Sequence, residues 1–262
     1  GMGDSTGGRK PWLLRIKSGN PVAIGVDITP KTTTIAIADL AGTVLEKEQS
    51  ATSPNLSYMT DYILDKVAFL NKEYKKYNLE VGVSIPGLTD PTIGRVLYVP
   101  YFQWRDWEIS KIITRETKMA VTIENDANAI AFAELWFGRE EIKRARNFIT
   151  VLVAEGIGTG IIFDGQIYRG DKGAAGEFGH MIVGENAPAV CSCGSRDCWE
   201  AHASVNSLIT RYHNLLENKN SPANMDFSQI AALAKNQEKQ ALEALKETTK
   251  YLGIGISNLI IG

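Results

Sequence analysis

The stretch "VAIGVDITPKTTTIAIADLAGTVL" spans residues 22–45. It runs from an apolar segment through an aspartate and a short turn into an alternating β-branched segment, then through Asp-Leu-Ala-Gly into a third run. Period-two alternation bounded by turn residues predicts a hairpin, with a third strand over "TVLEKEQ". The same order returns at residues 148–170, "FITVLVAEGIGTGIIFDGQIYRG", with an acid, a glycine turn and an Asp-Gly turn between apolar runs. Asp27 and Glu155 hold the same place in the two stretches, about 130 residues apart. Two copies of one hairpin unit predict an α/β chain of two similar lobes with a cleft between them. The alternative is two unrelated hairpins in an α/β protein.

Outward from these hairpins, the chain has 262 residues, and at roughly 100–200 residues per domain two domains are expected. Residues 1–20 read as a linker or lead-in, 21–140 as an N-terminal α/β lobe and 141–262 as a C-terminal α/β lobe. In the first lobe "SPNLSYMTDYILDKVAFLNKEYKKYN" predicts a helix, with Ser53 as N-cap and Pro54 in its first turn. Leu56, Met59, Ile63, Val67 and Leu70 give it one apolar face. The first half reads β-β-β-α-β-α-β-α. After the second hairpin come a glycine-rich loop, a cysteine cluster and helices up to Gly262. A second lobe built like the first needs a further strand and helix, so it is expected to be incomplete at its C-terminus.

The composition is that of an ordinary globular protein, 44% hydrophobic and 22% charged, with a formal net charge of −2. That balance argues against nonspecific nucleic-acid binding by this chain. No apolar run approaches the length of a membrane span and no secretory signal is visible. Three clustered cysteines near a histidine suggest a metal rather than disulfides, and the compartment is read as cytoplasmic.

"IENDANAIA" puts Asp126 at the end of an apolar strand and the start of a helix, where ligands bind in such sheets. An aspartate there can take a proton from a substrate hydroxyl, and it can equally serve only to cap the helix. Asn125 beside it donates and accepts hydrogen bonds. "GAAGEFGHMIV" offers Glu177 and His180 among glycines. His180 then begins the order His-x10-Cys-x-Cys-x4-Cys with Cys191, Cys193 and Cys198. Four such ligands meet the demand of a closed, structural zinc site, which uses every cysteine of the chain. Glu200 in "CWEAHAS" adds a carboxylate suited to a polyol. Trp104 and Trp107 suit either stacking on a sugar or packing at a loop; His202 and His213 read as surface or packing residues.

"IENDANA", "GEFGH" followed by "CSCGSRDCWE", and "SIPGLTDPTIG" together resemble the ROK family of repressors, open reading frames and kinases, over about residues 20–262. The resemblance implies the two-lobed sugar-kinase/actin-like (ribonuclease H-like) ATPase fold. It implies Asp126 as the catalytic base if the chain is a kinase. It implies Gly87, Asn125, Asp126, Glu177, His180 and Glu200 around a hexose, and zinc on His180, Cys191, Cys193 and Cys198, with one imidazole nitrogen left for the sugar. A homodimer is implied as well.

Kinases of the family carry Asp-x-Gly-Gly-Thr at the first hairpin, where this chain has Asp27-Ile28-Thr29-Pro30-Lys31. Proline has no N–H for a phosphate. At the second hairpin Glu155 stands before Gly156-Ile157-Gly158, in place of a threonine. A carboxylate 4 Å from one phosphate charge costs about 1 kcal/mol in water and about 4 kcal/mol at an effective dielectric near 20. Both changes, and the "GGRKPWLL" lead-in at residues 7–14, are similar to the repressor branch, where the lead-in follows a winged helix-turn-helix. The expected function is therefore the sugar-sensing, dimerising part of a ROK-type transcriptional regulator. It would bind a sugar or amino sugar and reach DNA through a helix-turn-helix domain outside this chain. The alternative is an ATP- and magnesium-dependent hexose or amino-sugar kinase; a third reading is a sugar-binding remnant with neither function.

Overall fold

The computed structural model describes residues 19–171, 173–216 and 225–261. The expected lead-in lies, except for Gly19 and Asn20, outside the described residues. The chain divides into two compact units between Asn125 and Asp126.

In the first unit β1 (Pro21–Ile28), β2 (Thr32–Asp39) and β3 (Val44–Ala51) form an antiparallel meander. Helix α1 (Leu56–Glu73) leads to β4 (Glu80–Ile85), which lies parallel to β1. A small sheet follows, made of β5 (Leu88–Asp90), β6 (Arg95–Val99) and β7 (Trp104–Trp107), then α2 (Ile109–Thr117) and β8 (Val121–Asn125). The main sheet runs β3-β2-β1-β4-β8. Along β1, β2 and β4 buried residues alternate with more exposed ones, so one face of the sheet carries the core. Ile24, Val26, Ile28, Val81, Val83, Ile85 and Ile123 fill the core together with Met59, Ile63 and Val67 of α1. At about 1.5–3 kcal/mol per fully buried large side chain, the α1 stripe is a main source of this helix's stability.

Two local expectations change. The N-cap of α1 is Asn55, whose side chain accepts from Tyr58 N, so Ser53 and Pro54 lie before the helix. The β5–β6–β7 sheet interrupts the simple alternation of strand and helix. It carries Trp104 and Trp107, both buried, with Nε1 atoms donating to Pro54 O (2.7 Å) and Thr60 Oγ1 (3.0 Å). These indoles pack inside the unit.

The second unit opens with α3 (Asp126–Phe137) and α4 (Glu140–Arg144), followed by β9 (Phe148–Val153), β10 (Ile157–Phe163) and β11 (Gln166–Ile167). The sheet order is β11-β10-β9, again an antiparallel meander with its second strand in the middle. The first turn covers residues 29–31 in one meander and 154–156 in the other, which is the repeat seen in the sequence. The side chains do not superimpose so simply. Asp27 lies inside β1, opposite Thr34 and Ser84, whereas Glu155 lies in the turn itself. Beyond the sheet come a 3-10 turn (Glu177–His180), α5 (Trp199–Ala203), α6 (Val205–Leu215), α7 (Phe227–Lys235) and α8 (Lys239–Ile261). Trp199, fully buried, joins Ile157, Ala203, Leu252 and Leu259 in one cluster. No helix among the described residues is long and apolar enough to cross a membrane.

Candidate functional site

The sequence from 177 to 200 folds back on the start of β10. Met181 O accepts from Trp199 N (2.8 Å) and Asp197 O from Val183 N (3.2 Å), so the loop between them closes on a short two-stranded bridge. This closure brings the histidine before the loop to the cysteines within and after it. The ligand atoms of His180, Cys191, Cys193 and Cys198 all lie within 4.8 Å of one another. His180 Nδ1 is 3.2 Å from Cys191 Sγ, and the Sγ atoms of Cys193 and Cys198 are 3.6 Å apart. Zinc–sulfur bonds of about 2.3 Å place the corners of a tetrahedron about 3.8 Å apart, so the cluster has the dimensions of a tetrahedral metal site. Cys191 and Cys198 are buried, and burial pushes both thiols up. A bound cation would displace those protons and take thiolates instead.

The other imidazole nitrogen faces away from the thiols. His180 Nε2 lies 3.5 Å from Glu177 Oε2. Partial burial raises the Glu177 carboxyl, with His180 pulling it down and Glu200 pushing it up. Glu200 reaches both parts of the site: Oε2 accepts from Ile157 N at 3.0 Å, and Oε1 takes the Cys191 thiol at 3.5 Å. Glu177, His180, Glu200 and the three cysteines are thus one cluster.

Asp126 is the first residue of α3, directly after β8, and its Oδ1 accepts from Ala127 N (2.8 Å). Helix α3 packs on β10 because Gly158 presents no Cβ: one built there would lie 2.9 Å from the Ala127 Cβ. Gly158, read from the sequence as part of a phosphate loop, has a packing reason to be glycine. In the first unit, Asn125 Nδ2 donates to Gly87 O at 3.1 Å. Gly87 has φ 136°, which excludes other residues, and a Cβ there would meet the Tyr98 carbonyl. Asn125 therefore pins the turn that follows β4.

The turn at residues 29–31 is closed on itself. Thr29 N donates to Thr32 O (2.8 Å), and Thr29 Oγ1 accepts from Thr32 N (2.9 Å) and Lys31 N (3.3 Å). Pro30 has no N–H. Each backbone amide from 29 to 32 is either engaged within the turn or missing. Sequence shows Thr29 only as a replacement for glycine; its hydroxyl forms the kind of side-chain-to-backbone turn that threonine makes in loops. Of the two readings given for His202, surface or packing, the structure shows packing: it is 1% exposed and stacks on Tyr251 with ring centroids 4.0 Å apart. Burial lowers its pKa, against the pull of Asp197.

A family model described as "ROK family" matches residues 23–262. The chain belongs to the ROK family. It is 33% identical over 264 residues to a xylose repressor of Bacillus spizizenii, covering 99% of this chain and 66% of the repressor. It is 30% identical over 257 residues to the DNA-binding transcriptional dual regulator NagC of Escherichia coli, covering 95% of this chain and 63% of that protein. The chain thus spans somewhat less than two thirds of these relatives' length. Among solved structures, a ROK family glucokinase from Streptomyces griseus in complex with glucose and AMPPNP matches with a TM-score of 0.78 at 28% identity, over 91% of this chain and 78% of that one. The fold is accordingly that of the ROK sugar kinases, the actin-like, ribonuclease H-like ATPase fold.

Proposed function

We propose that this chain is the sugar-sensing, dimerising portion of a ROK-type transcriptional regulator. In this reading Gly87, Asn125, Asp126, Glu177, His180 and Glu200 take the hydroxyls of a sugar or amino sugar. Zinc sits on His180, Cys191, Cys193 and Cys198 and holds the loop that carries Glu177 and His180. DNA is reached through a helix-turn-helix domain beyond the residues of this chain, and the protein acts in the cytoplasm.

The observation that carries the regulator reading is the hairpin at Thr29. A nucleotide-binding turn needs free backbone N–H groups, and here Thr29 Oγ1 and Thr32 O engage them while Pro30 removes one. Glu155 in the matching turn of the second unit adds a negative charge where a phosphate would need donors. The likeness to the xylose repressor and to NagC supports the same reading.

The kinase reading is favoured by one feature, the placement of Asp126 directly after β8 at the start of α3, together with the likeness to the glucokinase. Thermal denaturation with xylose, glucose or N-acetylglucosamine, with and without Mg-ATP, separates the two. A sugar-dependent rise in melting temperature with no ATP effect at millimolar concentration is expected. An ATP-dependent shift, or ADP formed in the presence of a sugar, overturns the regulator reading in favour of the kinase.

A further inference from the structure

Asp197 is the residue immediately before the ligand Cys198, and it has φ 65°, a left-handed conformation that normally favours glycine. The side chain explains why an aspartate stands there. Its Oδ1 accepts from Ala187 N at 2.8 Å, across the loop, and lies 3.5 Å from Nε2 of His202. Neither ring nitrogen of the buried His202 has a hydrogen-bond partner among the described residues, so the carboxylate is the polar group this ring faces. His202 in turn stacks on Tyr251 of α8. The tyrosine ring also lies against the loop, for a Cβ at Gly184 would lie 2.5 Å from it. Arg211 fixes the helix-to-helix contact by donating from Nη1 to His202 O (3.1 Å) and to Thr248 Oγ1 (2.6 Å). A continuous line of contacts therefore runs from α8 through Tyr251 and His202 to Asp197 and ends one residue from a metal ligand.

The geometry points to Asp197 and His202 as positioning residues for the metal centre, a strut by which α8 holds the turn that aims Cys198 and the loop that aims Cys191 and Cys193. The inference rests on the metal reading of the cluster. It differs from a purely structural role in a testable way. Glycine fits φ 65° without strain, so replacing Asp197 by glycine leaves the backbone at ease while removing the acceptor. Loss of groups that orient metal ligands typically weakens metal binding by about 10–100-fold.

The test is zinc release from the zinc-loaded chain to a chromogenic chelator, followed in time, with thermal midpoints recorded alongside. Asp197→Gly is expected to release zinc at least about 10-fold faster than wild type, with a lower thermal midpoint from the lost Ala187 N bond, so its rate is read against His202→Phe, which keeps that bond. Asp197→Asn keeps an oxygen acceptor and tolerates the left-handed backbone, so it should stay close to wild type. His202→Phe keeps the stack on Tyr251 but loses the ring nitrogens and should match Asp197→Gly. The double variant should be no faster than the faster single one, because both changes break the same line of contacts. Wild-type release rates in Asp197→Gly or His202→Phe, or rate effects that multiply in the double variant, overturn the strut while leaving the metal site intact. Wild-type protein that holds no zinc overturns the metal reading and the strut together.

Discussion

Glu200 accepts a hydrogen bond from the backbone N–H of Ile157 at 3.0 Å, tying the helix after the cysteine loop to the first residue of β10. The carboxylate suggested from the sequence as a sugar ligand thus has an internal partner, and its second oxygen meets the Cys191 thiol. Glu200→Ala should cost about 1.5–3 kcal/mol, the range for a hydrogen bond to a charged group. Glu200→Gln, which keeps an oxygen acceptor for Ile157 N, should lose less. Denaturant unfolding monitored by tryptophan fluorescence compares the two; an alanine variant as stable as wild type contradicts the tie.

The Thr29 turn makes an equally local prediction. Thr29→Ala removes the acceptor of two backbone N–H groups and should cost about 1 kcal/mol. Thr29→Ser keeps the hydroxyl and should change stability by less than about 0.5 kcal/mol. If both substitutions are equally harmful, the methyl group rather than the hydroxyl holds the turn.

Asp39, buried at the end of β2, accepts from Gly19 N (2.7 Å), Thr43 N (2.9 Å) and Ala41 N (2.9 Å). The Gly19 bond first, then Thr43 and Ala41, outweigh burial and hold its carboxyl below the ordinary carboxylate value. A carboxyl with a folded pKa below its unfolded one, about 3.9, stabilises the fold above that pH. It loses the contribution as pH falls through the folded value. The difference in melting temperature between wild type and Asp39→Asn should therefore be largest near neutral pH and shrink below about pH 4. A difference that stays constant from neutral to acid pH would rule this out.

Two glycines of α8 should respond in opposite directions to the same substitution. A Cβ on Gly255 would run into the ring of Trp199, which is fully buried, whereas a Cβ on Gly253 meets nothing within 4 Å. Gly253→Ala should stabilise by up to about 1 kcal/mol, the helix-propensity difference. Gly255→Ala has the same propensity gain but overpacks the core at a cost of typically 1–3 kcal/mol. It should be the less stable of the two, and its near-ultraviolet circular dichroism should change as Trp199 shifts. Equal stability in the two variants would mean that the helix yields without disturbing the indole.

Much of this protein was legible without coordinates because its signals are local. The α1 stripe of Met59, Ile63 and Val67 is buried as its spacing requires. The two hairpins repeat with turns of equal length. The His/Cys cluster could be read because three of its four members fall within eight residues and the fourth stands shortly before; loop closure over so short a span leaves few other arrangements. The N-cap shifted from Ser53 to Asn55 because serine and asparagine both cap well, and what decides is which side chain reaches the amide of the third helical residue.

What the amino-acid order determined by itself was the paired hairpins, the α1 stripe, the His/Cys cluster and the family. What only the tertiary structure decided was how individual polar atoms are used. His180 turns Nδ1 to the thiols and Nε2 to Glu177; Thr29 fills the turn that a phosphate would need; Asp197 meets a histidine four helical positions beyond Cys198. Periodicity and spacing report on which face of an element is apolar and which ligands lie near one another along the chain. The partner of a given oxygen or ring nitrogen depends instead on where separate elements come to rest, and that is set by packing between residues far apart in sequence.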